Sequence, residues 1–98
     1  MRTHRYYVYM LTNRSHRTLY IGFTNNLRRR LADHHAGHSS FTAAYRVTRL
    51  VYFEMHTNVN IARQRERTLK HWVRAWKDDL INGVNPDWRD LSDDILYD

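Results

Sequence analysis

The chain has 98 residues, 42% of them hydrophobic, and no cysteine, which suits one domain with a modest core and excludes a disulfide framework or a thiolate metal site. No apolar run is long enough to span a membrane, and the basic start Met1-Arg2-Thr3-His4-Arg5 lacks a following signal-peptide core, so a cytoplasmic protein is expected. Residues 1–77 carry 15 Lys/Arg against Asp33, Glu54 and Glu66, while residues 78–98 carry Arg89 against seven aspartates, for a net +6; so basic a body attracts a polyanion, of which nucleic acid is the commonest, the plainer alternative being a solvated arginine-rich surface.

Arg5 to Leu11 is rich in tyrosine, β-branched and apolar residues and is read as a strand. Period two sets Tyr7, Tyr9 and Leu11 against Tyr6, Val8 and Met10. Both faces are apolar or aromatic, as in a central strand. Residues 12–17 are polar and turn-like. Thr18 to Phe23 is a second strand, with Leu19, Ile21 and Phe23 opposed to Thr18, Tyr20 and Gly22. The short connection makes the pair an antiparallel hairpin.

Thr24 and Asn25 are candidate N-caps for a helix that runs to about His35 and stops at Gly37. Leu27, Leu31 and His34 share one stripe of it. Arg30 borders that stripe, whereas Arg28 and Arg29 point away. Residues 38–45 are read as a loop or a short irregular helix. Arg49 to Glu54 is a third strand, apolar enough to be covered on both faces.

Asn58 or Asn60 would cap a further helix. Ala62, Leu69, Trp72 or Val73, Trp76 and Leu80 recur at helical spacing over roughly five turns. Glu66, four after Ala62 and three before Leu69, falls in that stripe, with Arg63, Arg67, Lys70, Arg74 and Lys77 mostly outside it. Gly83 and Pro86 end the helix. Trp88, Leu91 and Ile95 can pack back, and Asp93 to Asp98 is expected to fray.

An ionised carboxylate on a buried face is costly unless paired or metal-bound. Glu66 is therefore either a ligand for a hard cation such as Mg²⁺ or the ion-pair partner of Arg30. Arg30 is either a phosphate clamp, since guanidinium forks match phosphate oxygens, or half of that pair. Tyr9 and Tyr20 lie on adjacent strands, where their hydroxyls can converge or simply join an aromatic core. A tyrosine with a pKa of about 10 needs help to act as a base, and His34, one turn from Arg30, can supply it. The set suits phosphodiester hydrolysis, which needs a base, a cation facing the phosphoryl charge, and a metal or acid at the leaving oxygen. Zinc is disfavoured: Gly37 ends the helix before His38, and no acidic ligand stands at a recognisable spacing.

Tyr7-Val8-Tyr9 and Tyr20-Ile21-Gly22 resemble the paired triplets of the GIY-YIG nucleases, in particular the small single-domain bacterial members. The resemblance covers about residues 5–91. It runs through Phe23-Thr24-Asn25-Asn26-Leu27, Arg30, His34, Phe41-Thr42-Ala43-Ala44-Tyr45, Leu50-Val51-Tyr52-Phe53-Glu54 and Glu66-Arg67-Thr68-Leu69-Lys70-His71-Trp72. It ends in Asn85-Pro86-Asp87-Trp88-Arg89-Asp90-Leu91. The resemblance implies an α+β fold, a small three-stranded antiparallel sheet flanked by helices in the order β-β-α-β-α-α. It implies Tyr9 as a general base, Tyr20 positioning water or phosphate, Arg30 on the phosphoryl charge, His34 assisting the base, and Glu66 ligating a single Mg²⁺ or Mn²⁺. Two departures stand out: Tyr7 replaces the first glycine, and Phe23 stands where some members have lysine. Asn85 is the candidate for an asparagine common late in the domain.

The expectation is one GIY-YIG-like domain over 1–98, with a core at 5–91 and an acidic tail at 92–98. Its function would be metal-dependent endonucleolytic hydrolysis of DNA in repair or processing, RNA not being excluded as substrate and no membrane being involved. The rival is a binding module with little activity, using Arg28, Arg29, Arg63, Arg67, Lys70 and Arg74 on phosphates. A protein-interaction role through Trp88 and the acidic tail has no positive support. A homodimer or a protein partner stays open, since one domain makes one active site and duplex cleavage needs two cuts.

Overall fold

The computed structural model describes residues 4–38 and 40–95; Met1–Thr3, Ser39 and residues 96–98, the end of the acidic tail, lie outside the described residues. Three strands, β1 (Tyr6–Thr12), β2 (Leu19–Thr24) and β3 (Arg49–His56), form an antiparallel sheet in the order β2-β1-β3. The helices are α1 (Leu27–His35), α2 (Ser40–Tyr45), α3 (Val59–His71) and α4 (Arg74–Val84), followed by a short 3-10 turn over Ser92–Asp94. The α+β fold matches the expected architecture, with α2 as an additional short helix between α1 and β3.

The central position of β1 follows from its two apolar faces. Val8 and Met10 join Ile21, Val51, Tyr52, Ala62, Leu69 and Ile81 in one core, under α3 and α4. Tyr7, Tyr9 and Leu11 join Leu27, Leu31, Val47, Leu50 and Ile95 in a second core, under α1. A β-bulge lies opposite Met10 and Leu11, which pair with Tyr52 and Leu50. The extra residue is Val51, so consecutive Val51 and Tyr52 both enter the first core while Leu50 turns to the second. Truncating a fully buried leucine such as Leu27 or Leu69 to alanine would cost about 2–5 kcal/mol.

Several local expectations are corrected. The N-cap of α1 is Asn26, whose side chain accepts from the Arg29 N–H, rather than Thr24 or Asn25. Thr24 is still in the sheet, opposite Tyr7, and its hydroxyl braces the Asn26 backbone instead. Asn58 caps α3. The five-turn helix is two helices, because Trp72 and Val73 adopt extended ψ values of 147° and 156°. That break leaves Val73 54% and Trp76 55% exposed and carries Ile81, not Trp76, into the core. Arg74 fixes the new direction by donating to the carbonyls of His16 and Arg17 in the β1–β2 turn.

The chain end is also more ordered than expected. Gly83 lies inside α4, which ends at Val84. Buried Asn85 donates to the carbonyls of Val51 (3.0 Å) and Arg89 (2.9 Å), tying the helix end to β3. Arg89 pairs with Asp94 at 2.6 Å, and Ile95 is only 2% exposed, so the expected fraying does not begin at Asp93.

Candidate active site

Tyr9 sits at the middle of the central strand, opposite Gly22 of β2. A Cβ built on Gly22 would lie 2.4 Å from both Cζ and Oη of Tyr9. Glycine is thus required there by close approach, because the tyrosine ring lies across its Cα. The hydroxyl is thereby delivered to α1, whose inner stripe carries His34. Tyr9 Oη and His34 Nε2 are 2.9 Å apart. Arg30, one turn earlier, donates from Nε to Tyr9 Oη at 3.4 Å. On the far side of the imidazole, His34 Nδ1 is 2.9 Å from Thr42 Oγ1 of α2. Tyr20 lies edge-on to His34 at 5.2 Å between ring centroids and 6.3 Å from Tyr9.

The electrostatics of this group follow from its burial. Burial pushes the Tyr9 hydroxyl up to about 12; Arg30 opposes the rise, and the charges of Tyr20 and Glu66 add to it. Burial, helped by the Arg30 charge, pushes His34 below its ordinary value. His34 is therefore neutral near pH 7, with one ring proton to place. The Arg30 guanidinium is held above its ordinary value, first by its bond to Tyr9. It is 38% exposed, open enough to meet a ligand.

Glu66 approaches from α3. Its side chain is 18% exposed, and its carboxylate pairs with Lys70 at 3.1 Å rather than with Arg30. Its charge is the smallest contribution to the rise of the Tyr9 hydroxyl, which burial dominates. Sequence reasoning thus anticipated a group that folding does bring together: Tyr9, Tyr20, Arg30 and His34, with Glu66 at its border. It missed Thr42, which orients His34; Thr42 belongs to a stretch without helical periodicity, eight residues past its partner.

A family profile described as the GIY-YIG catalytic domain matches residues 5–79. The chain belongs to the GIY-YIG family. A UPF0213 protein of Lactiplantibacillus plantarum is 42% identical over 76 residues, which cover 74% of each chain. A UPF0213 protein of Natronomonas pharaonis is 38% identical over 77 residues, 78% of this chain and 89% of that one. Among solved structures, the solution structure of a UPF0213 protein of Bacillus halodurans superposes with a TM-score of 0.58 at 25% identity, covering 88% of this chain and 92% of the other. The GIY-YIG assignment makes this a nuclease-type domain, and nucleases of this family generally depend on a divalent metal.

The carboxylate expected to hold such an ion is Glu66; no cluster of three or more His, Asp or Glu able to hold a metal occurs among the described residues. An oxygen donor that is partly buried yet reachable fits Mg²⁺ or Mn²⁺, which keep several waters and need few protein ligands. The fit requires Lys70 to yield part of its hold on the carboxylate.

The expected phosphate-contacting residues divide into two groups. Arg28 donates to the Ile95 carbonyl and Arg74 to the β1–β2 turn, so both serve the fold. Arg29 and Arg67 are exposed. Arg63 lies over the Phe23 ring at 4.7 Å and shares a cleft with Arg30, Tyr6 and Thr24. Lys70 stands beside Glu66.

A second titratable cluster, unforeseen from the sequence, lies on the opposite face of the sheet. Glu54 accepts from the Tyr52 hydroxyl, from Arg65 Nε at 3.1 Å, and from His56 Nε2. Burial pushes Glu54 up, but these three donors outweigh it and hold the carboxyl below its ordinary value. Arg65 also lies over the Trp72 ring at 5.4 Å.

Proposed function

We propose that this protein is a metal-dependent endonuclease that hydrolyses DNA phosphodiester bonds by general-base catalysis through Tyr9 and His34. The hydrogen-bonded line Arg30–Tyr9–His34–Thr42 carries the proposal. Arg30 donates to Tyr9 Oη, and the mechanism takes the tautomer in which the hydroxyl proton is directed at His34 Nε2. That nitrogen then accepts, so Nδ1–H donates to Thr42. A neutral imidazole in this tautomer is ready to receive the tyrosine proton.

Tyr9 alone, at about 12, is a poor base near pH 7. The line removes that difficulty. A water proton passes to Tyr9 Oη as the Tyr9 proton passes to His34 Nε2, the hydroxide oxygen attacks phosphorus, and the P–O bond to the leaving sugar oxygen breaks, that oxygen taking a proton from solvent. Arg30 faces the non-bridging oxygens, where negative charge builds. Tyr20 orients the water and the phosphate. Glu66 would hold the divalent ion, which supplies Lewis acidity at the phosphate and leaving oxygen.

The reading extends to a place in DNA repair or processing and a cytoplasmic location, with a second copy or a protein partner completing any double-strand cut. The test is cleavage of DNA with Mg²⁺ or Mn²⁺ by the unmodified protein beside Tyr9→Phe. Metal-dependent cutting that Tyr9→Phe reduces by about 10²–10⁴-fold supports the role. An unchanged rate removes Tyr9 from the mechanism, and salt-sensitive binding without cutting favours a binding module.

A further inference from the structure

The aromatic rings of the site do not end at Tyr20. Phe41 of α2 lies 5.9 Å from Tyr20 between ring centroids, and Tyr45 lies 5.0 Å beyond Phe41. This row runs from the buried Tyr9 out to the surface, where Phe41 is 44% and Tyr45 is 55% exposed. Two adjacent half-exposed rings are a costly use of aromatic surface when α2 has a core to pack into. Phe41 and Tyr20 form one wall of a groove of about 360 Å³ along the edge strand β2. Lys70 of α3 and Lys77 of α4 form the other wall, and Leu19 and Ile21 line it from the strand. None of the residues lining it is acidic.

We infer that this groove is a subsite for an unpaired nucleobase next to the scissile phosphate, with the base stacked on Phe41, against which Tyr45 packs from outside the groove, and its backbone phosphate held by Lys70 and Lys77. The inference rests on the reading of the site as one that acts on nucleic acid, and it names the form of that substrate. An aromatic face recognises the π-face of any base, so the subsite is indifferent to sequence. In a duplex those faces are already stacked on neighbouring pairs, and only base edges and phosphates are presented. A stacking wall with ammonium groups opposite therefore selects a strand that is single, flapped or frayed at the cleavage point. Lys70 links the two sites, since it also pairs with Glu66. A phosphate arriving in the groove competes for that ammonium and frees the carboxylate where the metal is needed.

The test compares affinity for a short DNA duplex with affinity for the same duplex carrying a single-stranded flap, by fluorescence anisotropy at constant salt. The proteins are the unmodified chain, Phe41→Ala/Tyr45→Ala, and Phe41→Leu/Tyr45→Leu, which keeps apolar bulk against Tyr20 but removes the aromatic faces. The unmodified protein should bind the flapped DNA about tenfold or more tightly than the duplex. Both double variants should lose most of that preference and keep the duplex affinity, with 2-aminopurine in the flap quenched only by the unmodified protein. Equal affinity for the two DNAs, or a preference that survives in the leucine variant, would overturn the subsite. Cleavage is scored separately: a protein that prefers flaps but cuts nothing retains the subsite and loses the nuclease reading, whereas cutting without flap preference does the reverse.

Discussion

The two faces of the sheet hold clusters built from nearly the same residue types, and they differ in what each asks of its members. On one face, Tyr52, His56 and Arg65 all donate to a single carboxylate, Glu54. On the other, Tyr9 Oη bonds to His34 and Arg30 rather than to a carboxylate, Thr42 closes the line, and Asp33 stands 4.0 Å from the Arg30 guanidinium. Burial pushes both tyrosines up to about 12. Around Glu54 that proton is locked, because the acceptor is an anion already held by three donors. Around Tyr9 the acceptor is a neutral imidazole that can take the proton and return it. A closed network of this kind contributes stability, and an open line ending at an accessible arginine is suited to chemistry.

Removing Arg30 from the open line, or Glu66 from its border, should give the largest effects. Arg30→Ala and Glu66→Ala are each expected to lower cleavage by at least about a hundredfold. Both should leave the melting temperature nearly unchanged, since Arg30 is a partly exposed side chain and Lys70 is exposed beside Glu66. Next comes Gly22→Ala, whose Cβ would overlap the Tyr9 ring at 2.4 Å. The ring must shift, so this variant should lose activity and about 1–3 kcal/mol of stability together, read by cleavage rate and denaturant unfolding.

The reverse pattern is expected across the sheet. Glu54→Gln removes the anion that three donors share, and should cost about 1–3 kcal/mol in urea unfolding. Its cleavage rate, measured well below the melting transition, should be unchanged. Loss of activity in a stable Glu54→Gln protein would erase the distinction between the two clusters.

The smallest effect is in pH. Burial lowers His34, so its neutral form persists below the ordinary histidine value of about 6.5. The cleavage rate should fall on the acid side only below about 6.5, as protonation of Nε2 removes the acceptor for the Tyr9 proton. The same shift makes folding weaker in that direction: the unfolded chain takes up the proton first, so the stability from neutral His34 is present above about 6.5 and lost as pH falls through the folded value. An acid limb centred above 6.5 would show that another group titrates.

The features legible in the sequence were the periodic ones. Alternation assigned Tyr7 and Tyr9 to one face of β1 and Val8 and Met10 to the other, and the i, i+4, i+3 stripe placed Leu27, Leu31 and His34 inward. Periodicity failed at Trp72–Val73, because the apolar spacing continues through a helix break that only packing imposes. The α1 cap was misplaced for a related reason: Thr24 has good capping chemistry, but pairing with Tyr7 keeps it in the strand. Thr42 and Arg65 were not legible, since each reaches its partner across elements, whereas Tyr52 and His56 stand two residues either side of Glu54 on one strand and were overlooked in the period-two pattern. Glu66 illustrates a middle case. Its inward position followed from spacing, and its partner, Lys70 instead of Arg30, is the i, i+4 neighbour on the same helix.

The most direct measurement is single-strand, flap and duplex DNA cleavage with Mg²⁺ or Mn²⁺ by the unmodified protein, run beside Glu66→Ala and Tyr9→Phe of matched thermal stability. Metal-dependent cutting that both variants lose by at least about a hundredfold is the expected result. Cutting that persists at the full rate in either variant, or no cutting of any DNA by the unmodified protein, would contradict the assignment of Tyr9, His34, Arg30 and Glu66 as a hydrolytic site.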